Sequence, residues 1–255
     1  MGYFPKTGIV IAMIVLASLG MDGASRSDEG DRFAVPRRDM LRAVQMDVAR
    51  NREVLGRPEL SLPVANALAT VPRHEFVPHT YRSRAYENRP LPIGLGQTIS
   101  QPTIVALMTD LMDLAPGDTV LEVGTGSGYQ AAILSEVLTS GYVHTIEIVT
   151  DLAHTARLRL GALGYDNVEV HEGDGYAGLP DHAPFDGIMV TAAADEVPRP
   201  LLDQLAPGAR LIMPVGPHGE TQWLTVMEKS GDGQLTRRRV LAVRFVPMTG
   251  EIEER

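Results

Sequence analysis

One short segment of the chain constrains its fold more than any other. Residues 120–129 read VLEVGTGSGY, an apolar run followed by three glycines at alternate positions. An apolar run of this length, bounded by a turn, is typical of a buried strand. Glycines at its end allow a sharp turn into a helix and let a ligand approach the backbone near the first helical amides. The segment therefore predicts a strand, a turn and a helix that together bind a nucleotide-like ligand.

The pattern around this segment predicts the class of fold. Apolar runs alternate with helical spacing up to Val215, and strand-like runs dominate after it. The predicted strands are residues 119–123, 143–147, 168–171, 187–191, 210–215, 223–228 and 240–246. The predicted helices are residues 40–54, 62–71, 104–114, 131–138, 151–163 and 200–205, and residues 77–102 are expected to form an ordered loop over a site. Such alternation indicates a Rossmann-like α/β fold, with a mostly parallel sheet, an antiparallel edge and an N-terminal helical region.

Acidic residues after successive strands indicate which ligand the glycine turn binds. The turn has the spacing G-x-G-x-G with Glu122 before its first glycine, whereas dinucleotide enzymes carry G-x-G-x-x-G. Glu147 ends the second strand, where a carboxylate accepts hydrogen bonds from ribose hydroxyls. Asp174 follows the third strand, where a carboxylate can accept from an adenine amino group. The glycine spacing with Glu122 favours S-adenosyl-L-methionine over NAD, and the two further acids complete the description of an adenosine-binding site.

Composition argues against several other functions. A formal charge of −9 is unsuited to sequence-independent binding of nucleic acid, which depends on clustered Lys and Arg. The basic run at 237–239 is interpreted as the flank of a hairpin. No cysteine is present, so disulfides and thiolate chemistry are excluded. His74 has no partner at metal spacing and is expected to form structural hydrogen bonds, and no metal site is predicted.

The amino terminus departs from this ordinary pattern. Residues 7–21 are uncharged and mostly apolar, with Lys6 before them and a polar segment at 22–32 after them. As a helix they would extend about 22 Å, which is short for a hydrocarbon core of about 30 Å. The stretch therefore indicates a signal-peptide-like leader or an extension, not a stable membrane span. Residues 1–32 are assigned to this leader and linker, and residues 33–255 to the catalytic domain, with 40–115 on its substrate side.

The sequence resembles the protein-L-isoaspartate (D-aspartate) O-methyltransferase family over about residues 40–250. The matching segments are residues 71–78, 92–94, 96–102, 122–129, 173–175, 184–186, 190–194 and 243–249. Glycine turns of this type occur in many methyltransferases, so the diagnostic segment is GQTISQP at 96–102. The resemblance implies the fold of class I S-adenosylmethionine-dependent methyltransferases. It also implies a repair enzyme that methylates the free α-carboxyl of L-isoaspartyl residues, and of D-aspartyl residues as a further substrate, leaving S-adenosyl-L-homocysteine.

The resemblance also implies roles for particular residues. Ser100 is the expected catalytic residue, since its hydroxyl can donate to the substrate carboxylate. The expected cofactor-binding residues are Thr98, Ile99, Ser100, Glu122, Gly124, Gly126, Gly128, Glu147, Asp174, Gly175 and Thr249. The expected substrate-binding residues are Thr191, Ala192 and Ala193. For these last three, a simple close-packed turn is an equally good interpretation.

Several alternatives stay open from the sequence alone. A methyltransferase of the same fold acting on a small molecule would carry the same glycine turn, and so would a non-catalytic adenosylmethionine-binding module. The resemblance implies isoaspartyl peptides and proteins as partners, a monomer, and the cytoplasm as the compartment. The apolar leader at 7–21 leaves export to the periplasm as the alternative.

Overall fold

Helices and strands alternate along most of the chain in a computed structural model that describes residues 32–250. The strands are β1 (Leu91–Gly94), β2 (Gln97–Ile99), β3 (Thr119–Val123), β4 (Tyr142–Glu147), β5 (Val168–Glu172), β6 (Phe185–Val190), β7 (Leu205–Val215), β8 (Gln222–Lys229) and β9 (Leu235–Val243). The α-helices are α1 (Ala34–Arg50), α2 (Arg52–Leu55), α3 (Leu62–Thr70), α4 (Pro102–Met112), α5 (Tyr129–Val137), α6 (Thr150–Leu163) and α7 (Arg199–Gln204). Three short 3-10 turns span Arg73–Phe76, His79–Arg84 and Pro180–His182.

Seven of the strands form one sheet in the order β5-β4-β3-β6-β7-β8-β9. The strands from β5 to β7 run parallel, and β8 and β9 are added as antiparallel neighbours. β3 pairs with β4 on one side and with β6 on the other, so the strand order changes direction at β3. Ligands bind sheets of this type at such a switch point. The predicted Rossmann-like α/β fold with an antiparallel edge is therefore confirmed.

The core lies around β3 and β6, the middle strands of the parallel part. Leu121, Ile188 and Val190 are fully buried there, because helices cover both faces of the sheet. The cluster continues into β7 through Leu211 and Met213. A rigid sheet of this kind fixes the ends of its strands, which is where the predicted site residues lie.

Some element boundaries differ from the sequence expectations. The segment 77–102 is not only a loop, because β1 and β2 pair within it as an antiparallel hairpin. Two glycines and two prolines lie within residues 90–96, and these residue types conceal strands of only three or four residues. β9 begins at Leu235, five residues before the predicted start, because its arginine-rich half is exposed and lacks an apolar alternation.

The apolar stretch at 7–21 lies outside the described residues. Within residues 32–250, no helix is long and apolar enough to cross a membrane. The chain divides into two units, residues 1–35 and 36–255, and all features discussed below belong to the second.

Candidate active site

A cleft opens at the carboxyl ends of β3, β4 and β6, where the glycine turn leaves the sheet. Gly124 and Gly126 line it with backbone φ angles of 95° and 52°, a conformation that favours glycine. A Cβ atom on Gly124 would lie 2.4 Å from the hydroxyl of Thr191, so the two chain segments approach as closely as a glycine permits. The Thr191 hydroxyl donates to the carbonyl of Gly124 at 2.6 Å and thereby fixes this turn.

Glu122 is a fully buried carboxyl group in the wall of the cleft. Its Oε2 accepts a hydrogen bond of 2.6 Å from the hydroxyl of Thr145. Its Oε1 is buried and has no hydrogen-bond partner among the described residues. Burial, with a smaller contribution from the nearby Glu147, raises the pKa of Glu122 to about 8. An uncompensated buried acceptor of this kind is suited to a cationic or hydrogen-donating ligand.

Glu147 ends β4 on the opposite side of the glycine turn. Its Oε2 accepts from the amide of Gly126 at 2.8 Å, and its Oε1 accepts from the amide of Val149 at 3.0 Å. A carboxylate oxygen has two acceptor positions, so both oxygens can take a further hydrogen bond from a pair of hydroxyls. The backbone contacts hold the carboxylate in the cleft, and its ribose-binding role stays a prediction.

The hairpin of β1 and β2 lies over the cleft and carries the GQTISQP segment. Thr98, Ile99 and Ser100 all line the cleft. The carbonyl of Ser100 accepts a 2.7 Å hydrogen bond from the guanidinium of Arg73, which is completely buried. Arg73 also donates to the carbonyl of Ala85 at 2.8 Å and stacks over the ring of Tyr129 at 4.7 Å. This buried arginine fixes the position of the serine, and sequence reasoning assigned it no role.

A second cleft joins the first beside Ser100. Four residues line both clefts: Thr98, Ser100, Thr191 and Val246. The second cleft has a volume of about 610 Å³, and Arg244 lies in its wall. Two adjoining clefts that meet at one hydroxyl-rich point are the arrangement a group-transfer enzyme requires, since donor and acceptor must come together there.

Of the remaining predicted residues, some line the first cleft and others lie outside it. Gly175, Ala192 and Thr249 line the first cleft. Gly128 faces α6 instead, where an added Cβ would lie 3.2 Å from Leu160. Ala193 exchanges backbone hydrogen bonds with Val246 and Met248 and holds the C-terminal segment against the sheet. Gly128 and Ala193 thus contribute to packing around the cleft.

Asp174 lies next to the cleft wall and not in the lining itself. Its Oδ1 accepts a 2.9 Å hydrogen bond from the amide of Tyr176, and Gly250 packs directly against the carboxylate. The neighbouring Gly175 does reach the cleft. In this arrangement Asp174 shapes the turn after β5, and its predicted contact with adenine stays a prediction.

Sequence reasoning missed part of the lining. The additional residues are Gln97, Val105, Val123, Thr125, Ser127, Tyr129, Gln130, Ile146, Ile148, Val149, Val246, Pro247 and Met248. Most of them are neighbours of predicted residues, so their positions follow from the strand ends once the sheet is known. His74 forms a 2.8 Å hydrogen bond with the hydroxyl of Tyr86, in agreement with its expected structural role. Trp223 lies on β8 outside both clefts.

Comparison with known proteins places this site in a family. Residues 54–253 match the model of the Protein-L-isoaspartate(D-aspartate) O-methyltransferase (PCMT) family. The chain is 53% identical over 242 residues to protein-L-isoaspartate O-methyltransferase 2 of Syntrophobacter fumaroxidans, covering 95% of this chain and 96% of the relative.

Solved structures agree with the sequence comparison. A protein-L-isoaspartate O-methyltransferase superposes with a TM-score of 0.72 and 32% identity, over 84% of this chain and 66% of that chain. A second structure, from Plasmodium falciparum and described as a putative protein-L-isoaspartate O-methyltransferase in complex with S-adenosyl-L-homocysteine, gives a TM-score of 0.66 at 27% identity, over 81% of this chain and 97% of that one. The fold, the paired clefts and these matches lead to one conclusion: the chain belongs to the protein-L-isoaspartate O-methyltransferase family.

Proposed function

We propose that this protein transfers a methyl group from S-adenosyl-L-methionine to the free α-carboxyl of L-isoaspartyl residues in damaged proteins, with D-aspartyl residues as a further substrate. Family membership over residues 54–253 supports the reaction. The observation that carries the proposal is the junction of the two clefts, where Thr98, Ser100 and Thr191 line both. One cleft then serves the methyl donor and the other a peptide carrying the carboxylate.

The first cleft offers groups that fit S-adenosylmethionine. When bound, this cofactor supplies a methyl group that is activated by a sulfonium centre. Glu122 would form a hydrogen bond with the cofactor, since Oε1 is buried and lacks a partner among the described residues. Glu147 would accept from the ribose hydroxyls, because its oxygens are fixed by Gly126 and Val149 and keep free acceptor positions. Gly124 and Gly126 let the ligand approach the backbone.

Ser100 is the group we assign to the reacting carboxylate. A carboxylate is already ionised near neutral pH, so methyl transfer needs alignment and exclusion of water more than a catalytic base. The Ser100 hydroxyl donates to one carboxylate oxygen and thereby orients the other toward the methyl group. Arg73 acts as a positioning residue, since its guanidinium holds the carbonyl of Ser100 from the buried side.

The product explains why such methylation repairs a protein. The ester carbonyl is more electrophilic than that of a carboxylate and carries methoxide as a leaving group, so the following backbone nitrogen attacks it and, with loss of the amide proton, expels methanol. The resulting succinimide is opened by water to a mixture of aspartyl and isoaspartyl residues. The enzyme methylates the remaining isoaspartyl residues again, so repeated cycles return the damaged position to aspartate.

A pair of isomeric peptides tests this proposal. We expect rapid transfer of labelled methyl groups to a peptide containing L-isoaspartate and none above background to the same peptide containing L-aspartate. A third peptide, which contains D-aspartate, tests whether D-aspartyl residues are also methylated. Equal labelling of the first two peptides, or of neither, would contradict the proposal. Binding of S-adenosylhomocysteine without any labelling would instead favour a non-catalytic binding module.

We also propose that the enzyme acts as a monomer in the cytoplasm, where S-adenosylmethionine is made, and that residues 33–255 form its catalytic domain. Cell fractionation, together with the mass of the native amino terminus, tests the compartment. Recovery of a shortened chain from the periplasm would support the exported alternative that residues 7–21 raise. Light scattering of the purified protein measures its molar mass and so tests whether it is a monomer.

A further inference from the structure

Three histidines from separate parts of the chain converge on one face of the sheet, away from both clefts. His144 lies on β4, His171 on β5, and His182 in the 3-10 turn that precedes β6. One ring nitrogen from each lies within 4.8 Å of the others. We propose that these histidines bind a divalent transition-metal ion, with Zn²⁺ as the best match, and that the ion ties the turn at 180–182 to the sheet.

The distances within the cluster suit tetrahedral coordination. Zn–N bonds of about 2.0–2.1 Å put the nitrogens of a tetrahedral site about 3.3 Å apart. Nδ1 of His144 lies 3.1 Å from Nε2 of His171. The ring of His182 is centred 4.3 Å from that of His144 and 5.1 Å from that of His171. The three donors therefore lie around a point that one ion can occupy after small side-chain movements.

A carboxylate completes the set of donors. Oε2 of Glu169 lies 3.6 Å from Nδ1 of His144 and 3.8 Å from Nε2 of His171. The parallel register explains this convergence, since His144 is paired with Glu169 and Ile146 with His171, so both β5 side chains share the face of His144. Glu169 is half exposed and free to shift toward an ion. Three imidazoles and one carboxylate favour Zn²⁺ over Ca²⁺ or Mg²⁺, which prefer sets of oxygen ligands.

Ordinary packing accounts less well for this arrangement. His144 and His171 can satisfy each other with one hydrogen bond. The third ring approaches them from an exposed turn, and within residues 32–250 no hydrogen bond links it to either. The exposed His182 gives an ion a path from solvent.

The position of the cluster indicates a structural role. None of the four residues lines either cleft. His182 belongs to the connection between β5 and β6, which also carries Asp174 and Gly175 at the edge of the cofactor cleft. An ion held by β4, β5 and this connection would stabilise the folded state, because it binds the native arrangement and not the unfolded chain.

Metal binding by the full-length chain without a polyhistidine tag tests the inference. After treatment with EDTA and dialysis, we expect the protein to bind one Zn²⁺ per chain by calorimetry and to unfold at a higher temperature with Zn²⁺ present. With Co²⁺ in place of Zn²⁺, a visible absorption band of tetrahedral type is expected. Because each of these measurements is independent of methyl transfer, their failure would leave the proposed activity untouched.

Two histidine variants provide the matched comparison. His182→Ala removes an exposed ligand without disturbing the core, and should weaken Zn²⁺ binding at least tenfold and abolish the Co²⁺ band. His154→Ala removes an exposed histidine of α6 outside the cluster and should bind as the unaltered protein does. Absence of Zn²⁺ binding, or equal affinity in both variants, would overturn the inference.

Discussion

Ser100 lines both clefts where they meet, and its backbone carbonyl is held by a buried arginine. Replacing Ser100 with alanine removes one hydrogen bond to a charged oxygen, worth about 1.5–3 kcal/mol. We therefore expect kcat with an isoaspartyl peptide to fall about 10- to 100-fold, while the affinity for S-adenosylhomocysteine changes less than about twofold. Steady-state kinetics and calorimetry measure the two quantities. Ser140→Ala, at an exposed loop, is the control, and an unchanged kcat for Ser100→Ala would remove the assignment.

Glu122 gives a second prediction at the residue scale, because its pKa is raised from 4.5 to about 8 by burial. The native protein keeps this proton up to about pH 8, whereas the unfolded chain loses it above about pH 4.5, so stability falls as the pH rises between these values. Glu122→Gln imitates the protonated group at every pH. From about pH 5 to about pH 8, the unaltered protein should lose about 3 kcal/mol more free energy of unfolding than the variant does. Urea denaturation at both pH values measures this, and parallel profiles would show that Glu122 ionises freely in the native state.

At the scale of elements, the contact between the glycine turn and the segment after β6 determines the shape of the cofactor cleft. Gly124→Ala would place a methyl group 2.4 Å from the Thr191 hydroxyl at a φ of 95°. We expect a loss of about 2–4 kcal/mol in stability and at least tenfold weaker binding of S-adenosylhomocysteine. Gly161→Ala is the control, since Gly161 lies inside α6 with no atom within 4 Å of the added methyl group. That control should be neutral or stabilise the protein by up to about 1 kcal/mol, measured by thermal unfolding. Comparable behaviour of the two variants would contradict the role given to this contact.

The same elements indicate how far the sequence predicts the fold and the site. β3 was predicted with its exact bounds, because an apolar run ending in glycines has few other interpretations. The β1–β2 hairpin was missed, since its strands are three or four residues long and rich in proline and glycine. Glu122 and Glu147 were identified because each stands at the end of a strand or one residue before it.

Residues whose roles depend on tertiary contacts could not be identified from the sequence pattern. Arg73 is 27 positions from Ser100 in the chain, and only the folded hairpin brings them together. The histidines at 144, 171 and 182 are likewise separated by whole elements. The sheet register puts His144 and His171 on one face, and the turn before β6 brings His182 to them.

At the scale of the whole molecule, ligand binding and stability are linked. A ligand present at about a hundred times its Kd adds about 2.7 kcal/mol to the free energy of unfolding. For a domain of this size, S-adenosylhomocysteine should then raise Tm by about 5–10 °C. Asp174→Ala should show a smaller rise at the same concentration, because the predicted adenine contact is lost, and thermal scans with and without ligand compare the two shifts within each protein. Equal rises in both proteins would exclude Asp174 from the cofactor site.

The last strand of the sheet also has a consequence for how these molecules behave in a crowded solution. β9 ends the sheet order, so within residues 32–250 one side of its backbone has no neighbouring strand, and such an edge invites pairing with another molecule. Arg237, Arg238 and Arg239 stand exposed along it. Two identical edges of this kind would bring six guanidinium groups together, and their repulsion keeps the sheet from extending into an aggregate.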